Sequence, residues 1–193
     1  MEQTNGGRTF LALYPPDEAL NEMIELSERF ISSLGASKNL RVVKREQYHL
    51  TLRFFEHLTD SERNDYISAL SESIGGSPPL NLSISALGGF PHINNPRVFW
   101  IGLKPIEAIR ELFARVESAA EVAGLPLERR GLKPHITIAR AKIVKPIKNA
   151  REVAEKIPLP KTSRVWNELK LMDSKLASAG ALHSPIAGWR LTG

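Results

Sequence analysis

The sequence predicts an α+β fold built from two similar lobes. Segments of strand alternation come singly and in pairs between segments of helical period, an order that mixes hairpins with helical crossovers. The pattern His-x-Thr-x, with an apolar residue at each x, occurs at His49-Leu50-Thr51-Leu52 and again at His135-Ile136-Thr137-Ile138. The copies stand 86 residues apart (49 to 135) in a chain of 193, and each follows a long amphipathic segment. A duplication, giving two lobes that meet at the motifs, accounts for that spacing.

Residues 1–7 are expected to form a loose tail. Arg8 to Tyr14 reads as a strand stopped by Pro15-Pro16. Asp17 opens a helix whose apolar residues, from Leu20 through Phe30 to Leu34, recur at helical spacing until Gly35 ends it. Val42-Val43 is a short strand or part of a connection, and Gln47 to Phe55 is the first motif strand. A second helix starts at Asp60 or Ser61 and closes at Gly75-Gly76. Leu80 to Leu87 alternates apolar and polar residues. A Gly, Pro and Asn-rich loop over 88–97 is expected next, then the strand Val98 to Leu103. Pro105 to Ala123 is a third helix, with Gly124 as its stop. The charged loop 128–133 delivers the second motif strand. A short helix over 149–157, a strand over 163–172, a Ser/Gly/Ala loop and a last strand at Trp189 complete the order.

Composition narrows the function. Apolar residues at 42% and charged residues at 24% are ordinary for a globular domain, so 1–193 reads as one domain of two lobes. The apolar runs are too short for a membrane span, and the polar start lacks a signal-peptide pattern, which makes a cytoplasmic location the expectation. With no cysteine, disulfides, thiolate zinc sites and a cysteine nucleophile are excluded. A net charge of +5 suits an anionic partner without demanding one.

Alternation along a strand puts His49 and Thr51 on one face, about 7 Å apart, and Leu50 and Leu52 on the other; His135 and Thr137 oppose Ile136 and Ile138 in the same way. Two imidazoles facing one cleft can act as acid and base together, because a pKa near 6.5 lets one be protonated while the other is neutral. Were the electrophile the phosphorus of a nucleoside 2′,3′-cyclic phosphate, one would take a proton from the attacking water and the other would protonate the departing ribose oxygen. Thr51 and Thr137 can donate to the non-bridging oxygens. Arg53 and Arg140 follow their histidines closely enough to hold phosphate bidentately. Ideal strand parity places Arg53 on the face of His49 and Arg140 on the face opposite His135, which favours Arg53. His57, His92 and His183 lack the pattern and read as exposed, while Phe99, Trp100 and Trp166 read as core.

The paired motifs, with Gly89-Phe90-Pro91, Pro96-Arg97-Val98-Phe99-Trp100-Ile101-Gly102 and Lys133-Pro134-His135, resemble the 2H phosphoesterases over nearly the whole chain, and most closely the RNA 2′,3′-cyclic phosphodiesterases also described as 2′-5′ RNA ligases. The resemblance implies a bilobal α+β fold with two antiparallel-rich sheets, helices outside, a pseudo-two-fold axis and a central cleft. It also implies hydrolysis of RNA terminal 2′,3′-cyclic phosphates to 2′-phosphomonoesters without metal or other cofactor, with 2′-5′ ligation as a possible reverse direction. It makes His49 the proton donor and His135 the acceptor, and carries Arg53 and Arg140 over as phosphate or RNA contacts. The residues themselves leave the two histidine roles interchangeable. The expected partner is an RNA or oligonucleotide ending in 2′,3′-cyclic phosphate, acted on by a monomer away from membranes. The competing readings are a metallohydrolase using both histidines as ligands, an RNA- or nucleotide-binding module, and a related enzyme acting on another cyclic phosphate or a 2′-5′ linkage.

Overall fold

A computed structural model of the chain describes residues 8–35, 37–128, 131–177 and 180–193. The expected tail (1–7) and part of the charged loop (129–130) lie outside them. Among the described residues the chain forms nine strands and four α-helices: β1 (Arg8–Tyr14), α1 (Asp17–Ser33), β2 (Leu40–Val42), β3 (Leu50–Phe55), α2 (Asp60–Ile74), β4 (Leu80–His92), β5 (Asn95–Lys104), α3 (Ile106–Val122), β6 (Ile136–Ala141), α4 (Ala150–Lys156), β7 (Arg164–Trp166), β8 (Glu168–Ala177) and β9 (Gly180–Arg190).

Local chemistry sets the helices. Pro16 and Pro105 precede the first turns of α1 and α3, where a missing N–H costs nothing. Thr59 and Glu62 exchange hydrogen bonds as a capping box at the start of α2. Gly35 and Gly124, with φ of +64° and +70°, end α1 and α3 in the left-handed conformation open to glycine.

All strand pairings are antiparallel and run in the order β7-β4-β5-β6-β3-β1-β8-β9, with β2 also on β6. The two expected sheets are therefore the two halves of one path, β7-β4-β5-β6 and β3-β1-β8-β9. They join through one pairing of the motif strands, Leu50 opposite Ile136.

Three boundaries depart from the sequence expectation. Residues 88–92 continue β4 instead of looping, because the Trp100 side chain of β5 covers Gly88 and permits an unbroken hairpin. The single strand expected over 163–172 breaks at Asn167 into β7 and β8. The expected Ser/Gly/Ala loop is largely the β8–β9 hairpin, whose residues 178–179 are outside the described set.

One face of this sheet carries the core. Leu11, Leu13, Leu50, Leu52, Phe99, Ile101, Ile136, Ile138, Leu169 and Leu171 pack with Met23, Leu26 and Phe30 of α1, Leu70 of α2 and Leu112 and Val116 of α3. Among the described residues, the other face carries a small buried cluster of Phe10, Ala12 and Met172, with Tyr14 against it, and is the side turned away from that core.

Candidate active site

The two halves repeat the same local design. In one, Leu13 pairs with Leu50 and Ala12 with Thr51, then the register slips so that Leu11 meets Arg53. In the other, Ile101 pairs with Ile136 and Trp100 with Thr137, then the register slips so that Phe99 meets Ala139. Each motif strand thus carries a bulge just past its threonine. In both strands the two residues after the threonine are buried and the third is exposed: Leu52, Arg53 and Phe54, and Ile138, Ala139 and Arg140.

These bulges overturn the parity argument for the arginines. A bulge inserts one residue and shifts every later side chain to the other face. Arg53 therefore turns to the helix side, 5% exposed, where its guanidinium pairs with the Glu117 carboxylate of α3, donates to the Pro126 carbonyl and lies over the Phe55 ring. It is a structural cation and not a residue of the cleft. Arg140 is the one returned to the cleft face, in the place occupied in the other half by Phe54.

Leu50 opposite Ile136 also arranges the motifs. Continued by one residue each way, that antiparallel register sets His49 beside Thr137 and Thr51 beside His135, all four on the face opposite the core. A local two-fold axis between Leu50 and Ile136 exchanges the two His-Thr pairs. Both threonines are half-buried, with one face of the cleft open to them.

The histidines sit just before their strands, so their rings lean over the strand starts. His135 Nδ1 lies 2.7 Å from the Lys133 carbonyl, two residues back, which requires the proton on Nδ1. The Gln47 carbonyl, two residues before His49, likewise favours the protonated ring, but His49 Nδ1 is buried without a partner at full hydrogen-bond geometry, so this contact is the weaker one. Phe10 stacks on the His49 ring with centroids 4.8 Å apart, and Phe90 meets the His135 ring edge-on at 5.0 Å. Burial is the main reason the His49 pKa falls to about 4, reinforced by the neighbouring His183, Arg140 and His135. The pKa of His135 is lowered as well, first by burial and then by Arg140, against the Lys133 carbonyl.

His183 is the residue that sequence reasoning missed. The sequence reads it as exposed, yet it is half-buried, and β9 brings it opposite Ser174 on the cleft side, with its ring 5.8 Å from that of His49 and 4.8 Å from that of Phe10. The Gln47 side chain donates to the Ala181 carbonyl at 3.1 Å and ties this hairpin to the turn before His49. Trp100 was also misplaced: it is half-buried on the cleft face beside Thr137, while Phe99 and Trp166 are core as expected. His57 and His92 are exposed, as expected.

Burial, carbonyls and cations are the influences on His49, His135 and His183; no carboxylate is among them. Among the described residues no group of three His, Asp or Glu is arranged to hold a metal ion, and no helix is long and apolar enough to cross a membrane. Arg140 is the cation that acts on all three of these histidines.

A bilobal antiparallel sheet with paired His-x-Thr-x strands on its open face is the architecture of a 2H phosphoesterase. The chain belongs to the 2′-5′ RNA ligase superfamily, whose family profile matches residues 15–175. It is 28% identical over 183 residues to an RNA 2′,3′-cyclic phosphodiesterase of Methanocaldococcus jannaschii, covering 94% of this chain and 99% of that one. A Geobacillus stearothermophilus protein of the same description is 34% identical over 121 residues, which span 62% of this chain but only 38% of that longer relative. The crystal structure of E. coli LigT complexed with 3′-AMP superposes with a TM-score of 0.70 at 25% identity, covering 98% of this chain and 99% of LigT.

Proposed function

We propose that the protein hydrolyses 2′,3′-cyclic phosphates at RNA ends to 2′-phosphomonoesters, with His49 and His135 as its acid and base. The observation that carries this reading is the Leu50–Ile136 pairing, which joins the two motif strands, together with the closeness of His135 and Arg140 to His49. The names of the M. jannaschii and G. stearothermophilus relatives support the substrate, and the 3′-AMP complex of LigT supports a nucleotide monophosphate in this fold.

In the proposed reaction the cyclic phosphate lies between the two imidazoles. His135, neutral and oriented through Lys133, takes a proton from water as the water oxygen bonds to phosphorus. The bond from phosphorus to the ribose 3′ oxygen breaks, and His49 gives that oxygen its proton. Proton count and charge balance, because one histidine ends protonated and the other neutral. The bound anion lifts the His49 pKa, offsetting the burial that lowers it in the free protein. Thr51 and Thr137 donate to the non-bridging oxygens, and Arg140 adds a cation to the same face. General acid and base contributions on the order of 10²- to 10⁴-fold each suffice for such a step.

The direct test is incubation with oligoribonucleotides ending in 2′,3′-cyclic phosphate, in the presence of excess chelator, with product analysis. A 2′-phosphate end formed at an undiminished rate supports the reading. Failure to open the ring, or activity abolished by chelation and restored by a divalent metal, refutes it. Supplying 2′-5′-linked oligonucleotides in the same panel decides whether the ligation equilibrium is also accessible.

A further inference from the structure

Arg41 of β2 stands directly opposite Arg140 of β6 in an antiparallel ladder. The register is firm on both sides, since the Val43 amide donates to the Ile138 carbonyl and the Lys142 amide to the Asn39 carbonyl, each at 2.9 Å. Residues directly opposite share a face with Cβ atoms about 4.5–5.5 Å apart, and like charges so placed repel. The neighbours Leu40 and Val42 point the other way, Leu40 into the core, so Arg41 and Arg140 both face the cleft. Partial burial of its guanidinium, and after it the neighbouring Arg41, lower the Arg140 pKa.

Neither arginine has a carboxylate partner among the described residues. The contrast with nearby Arg45 is informative: Arg45 bonds Asn21 at 2.6 Å and pairs with Asp17 at 3.2 Å. A cross-strand pair of unneutralised guanidiniums therefore lies at the end of the same strand that carries His135 and Thr137. β3 and β2 flank one edge of β6, so the path from the Thr137 position to the Arg140 position leads from the histidines toward Arg41. Three residues of strand span about 10 Å, a distance that one nucleotide can bridge.

We propose that Arg41, with Arg140, forms a second anion subsite that holds an internal phosphodiester of the RNA strand, next to the cyclic end. This rests on the phosphodiesterase reading for the identity of the first subsite. It makes Arg41 a specificity-determining residue, one that favours oligonucleotide ends over free nucleoside 2′,3′-cyclic phosphates.

The test compares adenosine 2′,3′-cyclic phosphate with ApA ending in 2′,3′-cyclic phosphate, by kcat/KM, in wild type, Arg41→Gln, Arg41→Lys and the control Arg45→Gln. In parallel, calorimetry measures binding of 3′-AMP and of ApA carrying a 3′-phosphate. Wild type is expected to favour each dinucleotide by about tenfold, as one charge-assisted contact supplies. Arg41→Gln should remove most of that preference while leaving the mononucleotide unchanged, and should lower the salt dependence of dinucleotide binding by about one ion. Arg41→Lys should retain part of the preference, and Arg45→Gln all of it. The proposal is overturned if wild type shows no preference, if Arg41→Gln weakens both ligands equally, or if Arg45→Gln matches it. Should neither cyclic phosphate be opened by wild type, the phosphodiesterase reading fails while the calorimetry still decides the subsite.

Discussion

Leu50 lies directly opposite Ile136, and this one pairing of two apolar residues joins the halves of the sheet. Its consequence is on the other face, where each motif histidine comes to stand beside the threonine of the other motif. A slip of one residue in this register would bury one His-Thr pair in the core and expose leucines to the cleft. The arrangement proposed to be catalytic is therefore as secure as the hydrophobic register beneath it.

Replacing either His49 or His135 by Ala should reduce opening of a 2′,3′-cyclic phosphate by at least about 10²-fold with folding retained. A substrate with a nitrophenyl leaving group separates the roles, since such a group departs without protonation. With it, the His49→Ala deficit should shrink and the His135→Ala deficit persist. The reverse pattern would exchange donor and acceptor.

Stability should fall as the solution is acidified from pH 7 toward 5. His49 titrates near 6.5 when unfolded and at about 4 in the fold. Between those values the unfolded chain binds more protons, so acidification favours it, by up to about 1.4 kcal/mol per pH unit for one proton. His135 and His183 are shifted in the same direction. Urea midpoints at pH 7 and 5.5 measure the loss, which should be smaller in His49→Phe.

Binding of 3′-AMP near pH 6.5 should be accompanied by proton uptake, because a bound phosphate raises the His49 pKa that burial has lowered. Calorimetry in two buffers of different ionisation heat reads the number of protons taken up. Release, or no exchange, would contradict phosphate binding beside His49. In the free protein, His183→Gln should raise the His49 pKa by removing a like charge, as followed by NMR titration.

Glu117→Gln should destabilise the fold by about 3–5 kcal/mol, since it leaves the Arg53 guanidinium buried without its counter-charge. Turnover per folded molecule should change less than twofold. A selective loss of turnover with stability intact would instead return Arg53 to the site.

Gly88→Ala should cost about 1–3 kcal/mol and shift tryptophan fluorescence, because a Cβ there would stand 2.2 Å from Trp100 Cζ2. Trp100 neighbours Thr137, so turnover should fall with it. Unchanged fluorescence and activity would show that the indole can move aside freely.

Much of this was legible in the sequence because it is written in local periods. The run stopped by Pro15-Pro16 marked β1 to its terminal residues, helical spacing marked α1 to α3 closely, and the doubled His-x-Thr-x marked the candidate site. Gly88 and Gly89 suggested a turn because a strand glycine differs from a loop glycine only in what covers it, here the indole of Trp100. His183 had no motif to mark it, since its value comes from a hairpin that folds back over residues more than a hundred positions earlier.

The sequence alone determined which residues alternate, which helices form and which two histidines share a pattern, because each depends on neighbours within a few positions. Only the tertiary structure decided that Arg53 belongs to the helix layer and Arg140 to the cleft, that His183 joins His49, and that Arg41 meets Arg140. Bulges and strand pairings set those outcomes. A bulge is stabilised by the strand across from it, and a pairing by residues far away in the chain, so neither leaves a local period to read.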